Sequence, residues 1–356
     1  MAVPFRVGVM QLTMEPLDEI IAHARVMDRH SFDTMWLAEA YPWWRKHSME
    51  ARSATAISPV IARETDRLAV GWGIISPYTR HPIQVAMDAR VTQEAAGPGR
   101  FYLGLGASKI FMREIGVGER IAERPLTSVR ETIHIVRSML AGEGLDFEGT
   151  EFTARVPPLR DDAEVTRSHV PIYMAGTGPR MQRTAGEMTD GLLTASITTP
   201  DFVRYARENV RQGAEAAGRS PDDIDIGCTL VASIDEDPAR GRDGAREIAA
   251  MYLANKVQNI RGSADVLLQK AGLTFEEIQP IAEAMESGGR LAAKRAVTDS
   301  VLEKCKPIAG TPDECIARIE EYRSAGCTHI MLELWGENRA RQLELFGEAV
   351  LPHVKN

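Results

Sequence analysis

This chain of 356 residues has only four cysteines, Cys228, Cys305, Cys315 and Cys327. None stands in C-x-x-C spacing, and a chain of this length needs no covalent staples to fold, so reduced thiols are expected rather than a disulfide framework. The eight histidines include no H-E-x-x-H pair, and with no paired cysteines either, no metal site is expected. Uninterrupted apolar runs of the roughly 18 residues a membrane span needs are missing, and the N-terminus enters a strand pattern without a cleavable signal. A cytoplasmic protein with no membrane partner is therefore expected. Dense runs of Lys and Arg are missing too, and the formal net charge is −8, so nothing attracts a phosphate backbone and no nucleic-acid partner is expected. The G-x-S-x-G elbow of serine hydrolases and the G-K-[ST] of phosphate-binding Walker loops are also absent.

What is present is 44% hydrophobic and 26% charged residues, enough to bury a full core. Short β-branched runs alternate with longer stretches of helical period, the pattern of repeated βα units around a parallel sheet. Strands are predicted at 5–11, 34–39, 68–75, 101–106, 171–176, 191–196, 224–234 and 329–335, with a small hairpin somewhere in 142–170. Near-continuous apolar runs fit strands buried on both faces. Eight such strands, most followed by helix, predict an α/β fold, a closed (β/α)8 barrel of the triosephosphate isomerase type. Between strands seven and eight, about 237–326 read as largely helical, more than one crossover helix requires. The expected organisation is one barrel domain over 1–356 with a helical insertion capping its mouth; a second domain is the rival.

In such barrels the reacting groups follow the strand ends. After strand two the sequence LAEAYPWWRKH places Glu39 beside Tyr41, Trp43 and Trp44, with Trp36 just upstream. Aromatics around a carboxylate suit a flat organic ligand, and desolvation there would raise the carboxyl pKa, making Glu39 the candidate for proton transfer. Alternatively the indoles cover the barrel end and Glu39 pairs with Arg45. Strand three runs into GIISPYTRHP, where Gly71 and Gly73 would let a ring approach the backbone and Tyr78 could face it. Gly104, Gly106 and Ala107 are read as keeping the mouth open after strand four, with Lys109 available to an anionic tail. After strand five, AGTGPRMQRTAGEMTDG joins a Gly-rich turn to a helix whose first amides are free, and Arg180 adds charge. That favours phosphate binding over a merely tight turn.

At these motifs, together with the C-terminal IAGTPDECIARIEEYRSAGCTHIML, the chain resembles the bacterial luciferase-like superfamily. Within it, the likeness is to the coenzyme F420-dependent branch that includes methylenetetrahydromethanopterin reductase. The resemblance spans nearly the whole length. It implies a non-prolyl cis peptide at Gly73-Ile74, forming with Ile75 a bulge behind the cofactor ring. It assigns Gly176, Thr177, Gly178, Pro179, Arg180 and Met181 to the cofactor phosphate, with Ala195 and Ser196 near the tail and Gly106 and Ala107 lining the mouth. Two features depart from the pattern: Ala40 stands where many relatives carry His, and Ala107 where sugar-phosphate dehydrogenases carry Glu, which argues against sugar-phosphate oxidation. The implied function is hydride transfer between F420 and a small unsaturated or planar substrate stacked among Trp36, Tyr41, Trp43, Trp44 and Tyr78. The alternatives are an FMNH2-dependent monooxygenase fed by a partner reductase, and a cofactor-binding protein without turnover. A homodimer is expected by the same resemblance.

Overall fold

The structure, a computed structural model, describes residues 3–39, 50–108, 112, 116, 124–158, 168–257, 263–336 and 338–355. The strands are β1 (Arg6–Leu12), β2 (Thr34–Ala38), β3 (Ala69–Ile75), β4 (Phe101–Leu105), β5 (Leu145–Glu148), β6 (Thr153–Val156), β7 (Ile172–Ala175), β8 (Gly191–Thr194), β9 (Asp225–Ile234), β10 (Ile308–Gly310) and β11 (His329–Glu333). The described helices are α1 (Leu17–Arg29), α2 (Ala54–Arg63), α3 (Pro82–Ala96), α4 (Pro125–Ala141), α5 (Pro179–Met188), α6 (Pro200–Ala216), α7 (Pro238–Val257), α8 (Ser263–Ala271), α9 (Phe275–Ala296), α10 (Asp299–Lys304), α11 (Pro312–Ala325), α12 (Arg339–Ala349) and α13 (Leu351–Val354). They fall into two compact units, one of residues 1–10, 29–32 and 176–356, the other of 11–28 and 33–175.

In the unit of 11–28 and 33–175, β2, β3, β4 and β7 pair in parallel in that order. The register of β3 against β4 slips between Trp72 and Ile75, where the Gly73–Ile74 peptide is cis as expected. The core is aromatic. Trp72 is fully buried, and its Nε1 donates to Ser58 Oγ at 2.9 Å, which satisfies the indole inside an apolar layer. The predicted hairpin is β5 paired antiparallel with β6. Glu131 on α4 accepts from the amides of Thr150, Glu151 and Phe152 and so fixes the hairpin turn.

In the other unit β8, β9, β11 and β1 form parallel neighbours. One element escaped the sequence reading: β10 lies in the stretch expected to be helical and pairs in parallel with the last residues of β9, Ala232–Ile234. Its three residues are too few to show a period, and β9 is long enough at ten residues to extend a free edge to it. Residues α7 to α10 build an apolar cluster of their own, including Ile248, Leu253, Ile278 and Ile281, that also takes in Ile197 and Val231. Local sequence sets the helix ends. Thr274 with Glu277 and Thr311 with Glu314 form capping boxes, and Gly326 closes α11 in the left-handed conformation.

The N-terminal ends of β1, β9 and β11 are tied by a buried charge cluster. Arg6 Nη1 donates to Asp225 Oδ2 at 2.8 Å, His329 Nδ1 lies 3.2 Å from the same oxygen, and the Thr328 hydroxyl donates to Oδ1. Burial pushes the Asp225 carboxyl up, but the hydrogen bond and charge of His329, the charge of Arg6 and the Thr328 hydroxyl together outweigh it and hold it at about 2. Because the folded value is depressed, the stabilisation is complete above the unfolded value near 3.8 and is lost as pH falls towards 2. Asp225→Asn is expected to cost about 2 kcal/mol or more at pH 7 and to flatten the loss of stability between those two pH values, measured by denaturant unfolding across pH.

Candidate functional site

Within each unit, most of the described candidate residues lie at or just after the C-terminal ends of parallel strands. In the unit of 11–28 and 33–175, Glu39 directly follows β2. Its carboxylate takes a two-pronged pairing from Arg80, with Nη2 to Oε1 at 2.6 Å and Nη1 to Oε2 at 2.8 Å, and Oε1 also accepts from the Ala54 amide at 3.0 Å. Arg80 reaches Ser53 Oγ at 3.1 Å as well. The side chain of Glu39 is only 4% exposed. Both oxygens are therefore engaged, one prong of them at the N-terminus of α2. Glu39 thereby ties together the end of β2, the start of α2 and the loop after β3. Among the described residues the partner is Arg80, where the sequence suggests the nearby Arg45; the β2–β3 pairing brings Arg80 close although it is 41 residues away.

Trp36, expected to contact substrate, is instead fully buried. Its ring lies 5.1 Å from that of Tyr173 and 5.8 Å from that of Tyr102, centre to centre. Gly71 exists for this indole: a Cβ there would sit 2.6 Å from it. The space that Gly71 was expected to leave for a ring is filled by the protein itself. Gly106 is likewise packed rather than open, with Ala175 and Ile74 closing on it and its amide donating to the Ile75 carbonyl at 3.2 Å. The Ala107 carbonyl accepts from Ser76 Oγ at 3.2 Å, which ties the loop after β3 to that after β4. Gly73 and Ile74 keep partial exposure at the bulge. Tyr78 is buried without a well-formed hydrogen bond on its hydroxyl, and burial pushes the phenol up, the Ser128 hydroxyl partly offsetting it. Ala40, Tyr41, Trp43, Trp44, Arg45, His47 and Lys109 lie outside the described residues.

In the other unit, the turn Gly176–Gly178 leads into α5. The Cβ of any residue at 176 would fall 2.4 Å from Met181 Cβ, so Gly176 lets the first turn of α5 close onto the end of β7's connection. Gly178 is the N-cap, offers no side chain to the helix amides, and has open space where its Cβ would be. Thr177 and Met181 are half-buried and Arg180 is exposed. The turn is braced from below by Gln182, which donates to the Thr177 carbonyl at 3.2 Å and accepts from Asn209 Nδ2 at 2.9 Å. Gln182 was not singled out in the sequence, although its place in the first turn after a glycine loop was a usable signal. Ala195 and Ser196 follow β8. The Thr198 hydroxyl donates to the Ala195 carbonyl at 2.6 Å, and Ser196 Oγ donates to Glu333 Oε2 at 3.0 Å.

Glu333, the last residue of β11, also went unnoticed in the sequence. It is fully buried and accepts from Ser196, from the Tyr252 hydroxyl and from Trp335 Nε1 at 3.1 Å. Burial pushes its carboxyl up to about 7 against the pull of Tyr252, Ser196, Trp335 and the more distant charge of Arg339. A lone Glu inside the apolar run Ile330–Trp335, at a strand's C-terminal end, was the readable sign.

A model of the luciferase-like monooxygenase family matches residues 1–329. The chain belongs to that family. It is 30% identical, over 97% of its own length and 99% of the relative's, to 5,10-methylenetetrahydromethanopterin reductase of Methanolobus tindarius. It is 26% identical to the F420-dependent glucose-6-phosphate dehydrogenase of Mycolicibacterium gilvum, covering 95% and 94%. Among solved structures, the coenzyme F420-dependent tetrahydromethanopterin reductase of Methanopyrus kandleri superposes with a TM-score of 0.85 at 26% identity, covering 98% and 99% of the two chains. The fold class is accordingly the (β/α)8 barrel expected from the strand pattern. Among the described residues, no helix is long and apolar enough to cross a membrane.

The Glu39–Arg80 clamp makes a definite prediction. Arg80→Met leaves a carboxylate buried without its cation and should lower unfolding free energy by about 3 kcal/mol, whereas adding Glu39→Gln should recover part of that loss. A double-mutant cycle by urea denaturation measures both; strict additivity of the two substitutions would contradict the clamp.

Proposed function

We propose that this protein is an F420-dependent oxidoreductase that transfers hydride between the deazaflavin and a small unsaturated or planar organic substrate. The observation that carries the reading is the turn before α5: an amide-lined helix N-terminus, uncapped by any side chain and open at Gly178, which suits a phosphate group. The chemistry of that donor set fits the anionic tail of F420. The full-length likeness to two groups of F420-dependent enzymes points the same way. Gly176, Thr177, Gly178, Pro179, Arg180 and Met181 would hold the phosphate, with Ala195 and Ser196 beside the tail. The bulge at Gly73, Ile74 and Ile75, backed by Gly106 and Ala107, would support the ring. When bound, the cofactor supplies a two-electron hydride donor or acceptor. The chain supplies placement: Gln182 fixes the phosphate turn, Ser76 fixes the two loops behind the ring, and the Glu39–Arg80 clamp fixes the neighbouring loop. Tyr78, with its buried hydroxyl, would face substrate.

The same reading includes a cytoplasmic homodimer, and a separate cofactor reductase would belong to the flavin monooxygenase alternative. Exposed Val60 on α2 and exposed Met87 and Val91 on the adjoining α3 support a subunit contact there.

Equilibrium binding to the purified protein tests the function before any substrate is known. F420 is expected to bind at least about tenfold more tightly than FMN. Preferential binding of FMN, with oxygen consumed in the presence of FMNH2, would instead select a flavin monooxygenase. Gly176→Val should weaken F420 binding by about tenfold or more, because its side chain must push the first turn of α5 away from the phosphate position.

A further inference from the structure

Among the described residues, three carboxylates are almost or wholly buried at the ends of parallel strands, and they are not treated alike. Asp225 has Arg6 and His329 against it, and Glu39 has Arg80. The hydrogen-bond donors to Glu333 are all neutral: a serine hydroxyl, a tyrosine hydroxyl and an indole. Its neighbours come from four places in the chain. Ser196 follows β8, Tyr252 lies on α7, Trp335 follows β11, and Val231 of β9 stands beside it in register. Arg339, at the start of α12, acts on it at longer range. A carboxyl so placed, at the C-terminal end of a barrel strand, can exchange a proton near neutral pH.

We propose that Tyr252 and Glu333 form the proton-delivering pair of the reaction: the Tyr252 hydroxyl gives a proton to the substrate and the Glu333 carboxyl replaces it. The inference rests on the F420-dependent reading above. Glu333 is fully buried, whereas Tyr252 as a whole residue keeps partial exposure, which sets it on the ligand side of the proposed pair. Burial, then the charge of Glu333, pushes the Tyr252 phenol well above its ordinary range, so it stays a neutral O–H donor. In the reduction direction the substrate's double bond takes up a hydride from the reduced cofactor and forms a C–H bond. The Tyr252 O–H bond breaks as the neighbouring substrate atom gains its proton, and the Glu333 proton passes to the Tyr252 oxygen, leaving a carboxylate. The proton lost when the cofactor is oxidised balances the one that recharges Glu333.

The test has two arms on the full-length protein. The first measures F420H2 oxidation against pH with a panel of activated alkenes and imines, in the wild type, Glu333→Gln and Ser196→Ala. The second follows carboxyl infrared bands of the cofactor-free proteins across the same pH range. In the wild type, kcat/KM should fall as pH rises through about 7, and a protonated carboxyl band should vanish over the same interval. Glu333→Gln should lack that band and that limb and be slower by about 100-fold or more. Ser196→Ala removes a donor that favours the charged form, so both the limb and the band should move to higher pH, a change that a merely structural role would not produce. If Glu333→Gln does not fold, the Ser196→Ala shift decides. Unchanged rate and profile in Glu333→Gln, or no carboxyl titrating near neutrality, overturns the proposal. A wild type whose carboxyl titrates as expected, but which neither binds F420 nor oxidises F420H2, refutes the functional reading and takes the proton-delivery role down with it.

Discussion

A carboxylate removed from water must find a cation or share its charge with a proton, and much of this structure follows from how that rule is met. At the N-terminal ends of the strands, Asp225 is matched by Arg6, His329 and Thr328, so the charge is permanent and β1, β9 and β11 are bound together. After β2, Glu39 is matched by Arg80, and the pair braces two loops and a helix start. After β11, Glu333 has only neutral donors, and its carboxyl rises to about 7. At the C-terminal ends the two carboxylates differ: Glu39 is paired with a guanidinium, whereas Glu333 is held by neutral hydrogen-bond donors.

Backbone geometry is arranged to the same purpose. Gly176 and Gly178 bring the first turn of α5 close and leave its amides clear, and Gln182 holds the turn from the helix side. The slipped register of β3 at Gly73–Ile74 lies beside a loop that Ser76 pins to Ala107, and both residues keep partial exposure. These are rigid elements carrying few ionisable groups, as expected where a cofactor brings the redox chemistry and the protein supplies orientation.

The strand positions and the hairpin were legible because buried parallel strands leave strong local patterns. The Gly73-Ile74 cis peptide was legible only through the resemblance, since no period or composition marks it. Partnerships were not legible. Arg80 reaches Glu39, and Tyr252 reaches Glu333 from 81 residues away, only after parallel pairing and helix packing have set their neighbours. Gly71 and Gly106 were misread for the same reason: a glycine's missing side chain can admit a ligand or a neighbour, and here Trp36 and Ala175 take the space. Trp36 was misread with them, because an aromatic near a strand end looks the same in sequence whether it faces a pocket or the core. β10 was lost because three residues hold too little pattern.

Isotope transfer tests the central claim most directly. With F420H2 carrying deuterium at position 5 of the deazaflavin ring, the account predicts that one deuterium appears on carbon in the reduced product, with solvent contributing only the exchangeable or acid-derived hydrogen. Product formed without the label, with deuterium released to water or oxygen consumed in its place, would contradict it.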